Sequence, residues 1–131
     1  MRSFSVVLTY AMLLASLAGN PSVSTAASGP YETRSSRGEI SFDLTPREPA
    51  DGRFTIDIRA NTHSGDLADL DLRHIVALEA GGQIYRPASA TKLGGHHAAG
   101  SVTFEIARVP DRFAVTIGGV RSMGALRFEW P

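Results

Sequence analysis

Apolar and polar residues alternate with a period of two over most of the chain beyond residue 38. This alternation is typical of β-strands with one buried face and one wet face. No stretch keeps helical apolar spacing for three turns. Apart from a shorter candidate at residues 83–85, the apolar positions are Ile40, Phe42 and Leu44; Phe54, Ile56 and Ile58; Leu70, Leu72, Val76 and Leu78; Val102, Phe104 and Ile106; Phe113, Val115 and Ile117; and Leu126, Phe128 and Trp130.

Turn-forming residues separate these stretches. Gly81-Gly82 predicts a two-residue hairpin, and residues 87–100 predict a long connection. Such a series of short strands predicts an all-β fold, an antiparallel immunoglobulin-like β-sandwich of about seven strands. A small Greek-key barrel is the alternative. The even-position register runs across His74, so we expect an inward-facing histidine there, in the core or at a sheet edge, with a hydrogen-bond partner.

The first residues predict a secretory signal peptide over residues 1–27. Arg2 precedes an apolar run at residues 6–17, and small residues at 24–27 resemble a cleavage site. The run is shorter than the roughly 20 residues of a membrane span, which leaves an uncleaved anchor as the lesser alternative. We therefore expect a flexible lead-in at 28–38 and one β-sandwich domain at 39–131, periplasmic or secreted, with no stable membrane insertion after signal removal.

Composition removes several classes of function. The 131 residues include 13 Lys+Arg and 13 Asp+Glu and carry no formal net charge, whereas nucleic-acid-binding domains normally show a basic excess. The chain contains no cysteine. A disulfide framework, a thiolate metal site, a thiol nucleophile and a lipid anchor on cysteine are therefore excluded. Because small exported eukaryotic domains usually carry disulfides, a bacterial periplasm or exterior fits better.

The histidines supply the most specific chemistry. His63 follows the second predicted strand, where we expect it to face water, and His96-His97 lie between glycines just before a later strand. In an irregular glycine-rich loop two neighbouring imidazoles can converge on one point. Three imidazoles at one end of a sandwich suit Zn²⁺, Cu²⁺ or Ni²⁺, with Asp66, or less favourably Asp69, as a further ligand. The pattern predicts a zinc or copper(II) site at His63, His96, His97 and Asp66, provided that the topology joins the two segments.

A second interpretation needs no metal. Asn, Ser and Asp side chains next to His63 favour local backbone hydrogen bonds, so the histidines can simply shape the loops. The domain would then be a cell-envelope interaction or adhesion module that presents loops or an edge strand to a protein partner. The expected partner is thus a metal ion or a cell-envelope protein, and not a nucleic acid.

Catalysis and specialised copper chemistry are less favoured. The chain lacks the Gly-x-Ser-x-Gly nucleophile elbow, and no glutamate near the histidines is placed as a general base for a zinc hydrolase. Met123 is the only methionine after residue 27, which argues against a thioether copper(I) site. A blue-copper site needs cysteine, and a histidine brace needs histidine at the mature N-terminus. We therefore predict that the chain is not an enzyme.

Four segments together resemble a family of small, mostly uncharacterised exported prokaryotic β-domains. They are Asn61-Thr62-His63-Ser64-x-Asp66-Leu67, Tyr85-x-Pro87, Gly94-Gly95-His96-His97-x-x-Gly100-x-Val102-x-Phe104 and Leu126-x-Phe128-x-Trp130. Members of that family often have tryptophan and glycine before the histidine pair, where this chain has residues 89–93 of different type. The resemblance implies a shared local site around the three histidines, either a metal site or a hydrogen-bonded cluster, and implies no particular activity.

Overall fold

The computed structural model describes residues 30–120 and 123–131. The predicted signal peptide at 1–27 and the first two residues of the predicted lead-in lie outside this range. Among the described residues no helix is long and apolar enough to cross a membrane.

The described residues form two antiparallel sheets, which confirms the all-β prediction. Their nine strands are β1 (Arg34–Ser36), β2 (Ile40–Pro46), β3 (Arg53–Thr62), β4 (Val76–Ala80), β5 (Gln83–Tyr85), β6 (Ser89–Ala90), β7 (His97–Glu105), β8 (Phe113–Ile117) and β9 (Leu126–Trp130). The first sheet has the strand order β1-β2-β3-β7-β6, and the second has the order β5-β4-β8-β9. The count exceeds the predicted seven because β1 and β6 are short strands without an alternating apolar signal.

The inward faces of both sheets form one hydrophobic core. In β2 every even residue from Ile40 to Pro46 is buried, and β3 and β7 repeat this alternation. The predicted apolar positions supply most of the core, and Phe42, Phe54 and Phe104 have no exposed surface. Because residues from both sheets share this cluster, the architecture is that of a β-sandwich.

The hairpin predicted at Gly81-Gly82 is confirmed. Ala80 and Gln83 are the last pair of the β4–β5 ladder, so two residues join the strands. Both glycines have positive φ, 60° and 79°. This is the backbone of the tight hairpin turn whose twist matches that of the flanking strands, and glycine adopts it without steric cost.

The segment before residue 39 differs from the predicted flexible lead-in. Residues Arg34–Ser36 form β1, which pairs with β2. The Trp130 indole Nε1–H donates to the carbonyl of Glu32 at 2.7 Å, and the Tyr31 ring packs edge-on against Phe113 with centroids 5.3 Å apart. The partners in these contacts lie far along the chain, so the sequence pattern around residues 30–38 does not predict them.

The prediction of an inward-facing His74 is wrong. Residues Leu67–Asp69 form a 3₁₀ turn and Leu72–Ile75 a short helix, α1. The Asp71 carboxylate accepts a hydrogen bond from the backbone N–H of Arg73, which caps α1. Helical geometry then turns His74 outward, where its side chain is 82% exposed and its Nδ1 lies 2.6 Å from Asp71 Oδ2.

Candidate functional site

The fold brings the two histidine segments together. Strands β3 and β7 are antiparallel neighbours, and the last pair of their ladder is Asn61 opposite His97. Beyond the strands the contact continues, since the N–H of Thr62 donates to the His96 carbonyl at 2.9 Å. The backbone pairing therefore brings residue 63 close to residues 96–97, as a shared site requires.

Asp66 fastens the loop after β3 to the loop before β7. Its Oδ1 accepts hydrogen bonds from the N–H of Ala68 at 2.8 Å and from the N–H of Gly95 at 2.9 Å. In return, the N–H of Leu67 donates to the Gly95 carbonyl at 2.8 Å. The same carboxylate oxygen thus caps the 3₁₀ turn and joins it to the backbone of Gly95, which is far away in sequence.

These bonds stabilise the ionised form of Asp66. Its pKa is lowered chiefly by the backbone hydrogen bonds from Ala68 and Gly95. Attraction to the His96 and Lys92 side chains lowers the same pKa further, while partial desolvation opposes the change. The carboxylate is therefore charged at neutral pH and committed, through one oxygen, to the loop backbone.

His97 is held by a side-chain bond across the ladder. Its Nδ1 lies 2.6 Å from Asn61 Oδ1. An amide oxygen can only accept, so Nδ1 carries the proton and donates. In the neutral ring the lone pair then sits on Nε2, the outer nitrogen of an exposed side chain.

Thr62 organises the turn at the end of β3. It is the one buried polar residue of the described part of the chain, with 3% of its surface exposed. Its Oγ1 donates to the Ser64 carbonyl at 2.6 Å and accepts from the N–H of Ser64 at 3.2 Å. The hydroxyl of Thr62 thereby bonds to both backbone groups of Ser64 and holds the turn, and Gly65 continues the chain with a φ of 82°.

The local structure explains why two positions of the second segment are glycine. Gly95 has a φ of 75°, a conformation that side chains disfavour. At Gly100 an added Cβ would lie 2.6 Å from Thr91 Cβ, closer than real Cβ atoms approach. Gly100 therefore permits the segment before β7 to cross close over the strand.

The remaining histidines are not built into this network. His63 and His96 are exposed, and neither side chain forms a hydrogen bond with the described residues. Asp69 lies at the exposed end of the 3₁₀ turn. Within residues 30–120 and 123–131 no group of three or more His, Cys, Asp or Glu side chains is arranged to hold a metal ion.

Beside the Asn61–His97 pair lies a feature that the sequence did not reveal. A hollow of about 230 Å³ is lined by Arg59, Asn61, His97, Ala98 and Ala99. Arg59 belongs to none of the sequence motifs described above, and only the β3–β7 register places it next to His97. Strand alternation could have put Arg59 and Asn61 on one face, but the partner strand is a tertiary fact.

Comparisons with protein-family models, with curated proteins and with solved structures found no match.

Proposed function

We propose that this chain is an exported, non-catalytic binding domain of immunoglobulin-like type, periplasmic or secreted, which attaches to a component of the cell envelope. In this proposal the Asn-Thr-His-Ser and Gly-Gly-His-His segments form the scaffold of one end of the sandwich. The exposed sheet face and loops beside that scaffold carry the recognition.

The observation that carries the proposal is that the polar atoms of the two segments form hydrogen bonds with each other. Asp66 bonds to Gly95, Thr62 to His96, and Asn61 to His97. Each bond joins the first segment to the second, so the two motifs depend on each other for their shape. A pair of segments with this mutual dependence is expected in a structural scaffold, whatever ligand the scaffold presents.

Co-sedimentation tests the binding function. The protein would be mixed with washed cell-envelope fragments over a range of concentrations, and the pelleted fraction measured. We expect saturable binding that is lost when the domain is first unfolded. Binding that rises without saturation, or that survives unfolding, would refute the proposal because it would reflect non-specific adhesion of the chain.

A second candidate function is binding of Zn²⁺ or Cu²⁺. One observation favours it: the hydrogen bond to Asn61 orients the His97 ring so that the Nε2 lone pair points outward. Metal-binding histidines are commonly oriented in this way by a hydrogen bond to their second ring nitrogen. The His96 side chain is near enough to Asp66 to contribute to the lowering of the pKa of that carboxyl. The ligands would be His63, His96 and His97, with Asp66 contributing the carboxylate oxygen that its backbone bonds leave available.

Calorimetry with Zn²⁺ and Cu²⁺, with elemental analysis of the untagged protein, tests this candidate. One tight equivalent that disappears in H96A/H97A and persists in H74A would support it, because His74 is exposed but lies at α1. Absence of a tight equivalent, or equal loss in H74A, would exclude it. Chelation provides a further check, since an ion bound only to the native state must raise the melting temperature.

A further inference from the structure

The outer face of the first sheet carries an unpaired cation among paired charges. Two carboxylates on this face are engaged by other arginines. Asp57 accepts from Arg47, with Nη2 to Oδ1 at 2.6 Å, and Asp43 lies 3.6 Å from the Arg37 guanidinium. Asp43 also accepts from the Ser35 hydroxyl at 2.6 Å.

Arg59 stands apart from these pairs. It lies on β3 opposite Ala99 of β7 and opposite Asp43 of β2, and it is exposed. Its side chain makes no hydrogen bond or ion pair with any residue that the structure describes. Because Ala99 is small, the space beside the guanidinium is the hollow of about 230 Å³ rather than a neighbouring side chain.

The groups around the hollow present a defined set of donors and one acceptor. Arg59 offers a planar fork of N–H donors, suited to a carboxylate. Asn61 uses its oxygen for His97, so its Nδ2 donors remain for a ligand. Because Nδ1 of His97 donates to Asn61, the other ring nitrogen, Nε2, is the acceptor of this set. A ligand that satisfies all three must combine an anion with hydroxyl groups.

We propose that Arg59, Asn61 and His97 form a binding site for a carboxylate-bearing sugar, a uronic acid residue of an acidic polysaccharide. The carboxylate pairs with Arg59. A neighbouring hydroxyl donates to His97 Nε2, and a ring or hydroxyl oxygen accepts from Asn61 Nδ2. This inference rests on the proposed binding function and names the ligand chemistry of the cell-envelope component.

The strand geometry supports a single sugar residue as the unit recognised. Arg59 and Asn61 are two residues apart on one strand face, a separation of about 7 Å. Asn61 and His97 are directly opposed, with Cβ atoms roughly 5 Å apart. One guanidinium provides one unit of charge, which matches a monoanionic carboxylate better than a dianionic phosphate ester.

The test is a titration of the ¹⁵N-labelled protein in metal-depleted buffer, followed by NMR. Glucuronate is the probe, glucose is the uncharged counterpart, and glucose 6-phosphate carries a phosphate in place of the carboxylate. We expect glucuronate to shift the amide signals of Arg59, Asn61, His97 and Ala99 with saturation, and glucose to bind at least about tenfold more weakly, as loss of a charge-assisted bond implies.

A pair of variants locates the site. R59Q is expected to raise the glucuronate Kd about tenfold or more. R53Q is the matched control, since Arg53 is an exposed arginine on the same face of β3, about 20 Å away by strand rise. Equal weakening in both variants would overturn the site, because it would show a general charge effect.

Two further outcomes separate this inference from the function beneath it. Saturable attachment to envelope fragments without any glucuronate binding would overturn the sugar site and leave the binding function intact. Tighter binding of glucose 6-phosphate than of glucuronate would overturn the carboxylate assignment. Failure of both sedimentation and titration would reject the proposed function itself.

Discussion

Replacing Gly100 by alanine should destabilise the domain through one steric contact. The new methyl group would lie 2.6 Å from Thr91 Cβ and 2.8 Å from Thr91 Cγ2. The Cβ atom is attached directly to the backbone, so rotation of the threonine side chain cannot relieve its contact. The chain around Thr91 must move away from β7, which puts at risk the bond from the Thr91 N–H to the Ser101 carbonyl at 2.9 Å.

The magnitude follows from two opposing terms. Forcing a methyl group into a filled space typically costs about 1–3 kcal/mol. A Gly→Ala change also restricts the unfolded chain, which returns roughly 0.4–1 kcal/mol. Since β6 is a two-residue edge strand, part of the strain is released by its displacement. We expect a net loss of about 1–2 kcal/mol in the free energy of unfolding, or a fall in melting temperature of roughly 5–15 °C.

Chemical and thermal unfolding of the parent and four variants, G100A, G94A, T91G and G100A/T91G, would measure this. G94A is the matched control, because Gly94 comes from the same glycine-rich segment and an added Cβ there meets nothing within 4 Å. The double variant G100A/T91G removes the obstructing carbon and should be less destabilised than the sum of G100A and T91G, by about 1 kcal/mol. Strict additivity, or equal effects of G100A and G94A, would refute the steric explanation.

Three further predictions address the core and the loop contact. F104D places a charge where the parent side chain has no exposed surface, so it should abolish the cooperative melt; a transition near the parent's in circular dichroism would contradict the core assignment. The pKa of Asp66 is lowered in the folded chain, so its stabilising effect is complete above the unfolded value of about 3.9 and is lost as pH falls through the folded value. Thermal melts between pH 6 and pH 2.5 should therefore show less acid destabilisation in D66N than in the parent. Identical pH profiles of the two proteins would count against this role of Asp66. N61A removes the acceptor for His97 Nδ1, so ¹⁵N NMR of the imidazole should show the proton shared with Nε2, whereas an unchanged tautomer would mean that Asn61 does not set it.

The alternating stretches were predictable because each strand has one buried face, and burial leaves a period of two in the sequence. The short elements left no such trace. Residues Arg34–Ser36 become a strand through pairing with β2 and through contacts near Trp130. Leu72 and Val76 fit the even register although α1 begins at Leu72, because four residues are too few to show a helical period.

The sequence singled out the two segments that the structure joins, but it did not reveal Arg59 or the bonds between the segments. The sequence has Asp66 and Gly95 in two separate motifs, and nothing in their spacing indicated that the N–H of Gly95 donates to the Asp66 carboxylate. Strand alternation is enough to place Asn61 on the outer face of β3, where the structure has it exposed. Its bond to His97 depends on the pairing of β3 with β7, which a one-dimensional pattern does not contain. The metal site remains a prediction.

The ladder between β3 and β7 has a consequence for the order of folding. Asn61 and His97 are 36 residues apart, whereas Thr55 and Thr103, near the other end of the ladder, are 48 apart. Closing the shorter loop first saves only about 0.3 kcal/mol of chain entropy. However, the contacts around Asp66 and Thr62 add their own stabilisation at that end alone. We therefore expect the transition state to contain the histidine segments, with φ-values higher at Asn61 than at Thr55, so that the motifs act as a nucleus from which the central ladder zips.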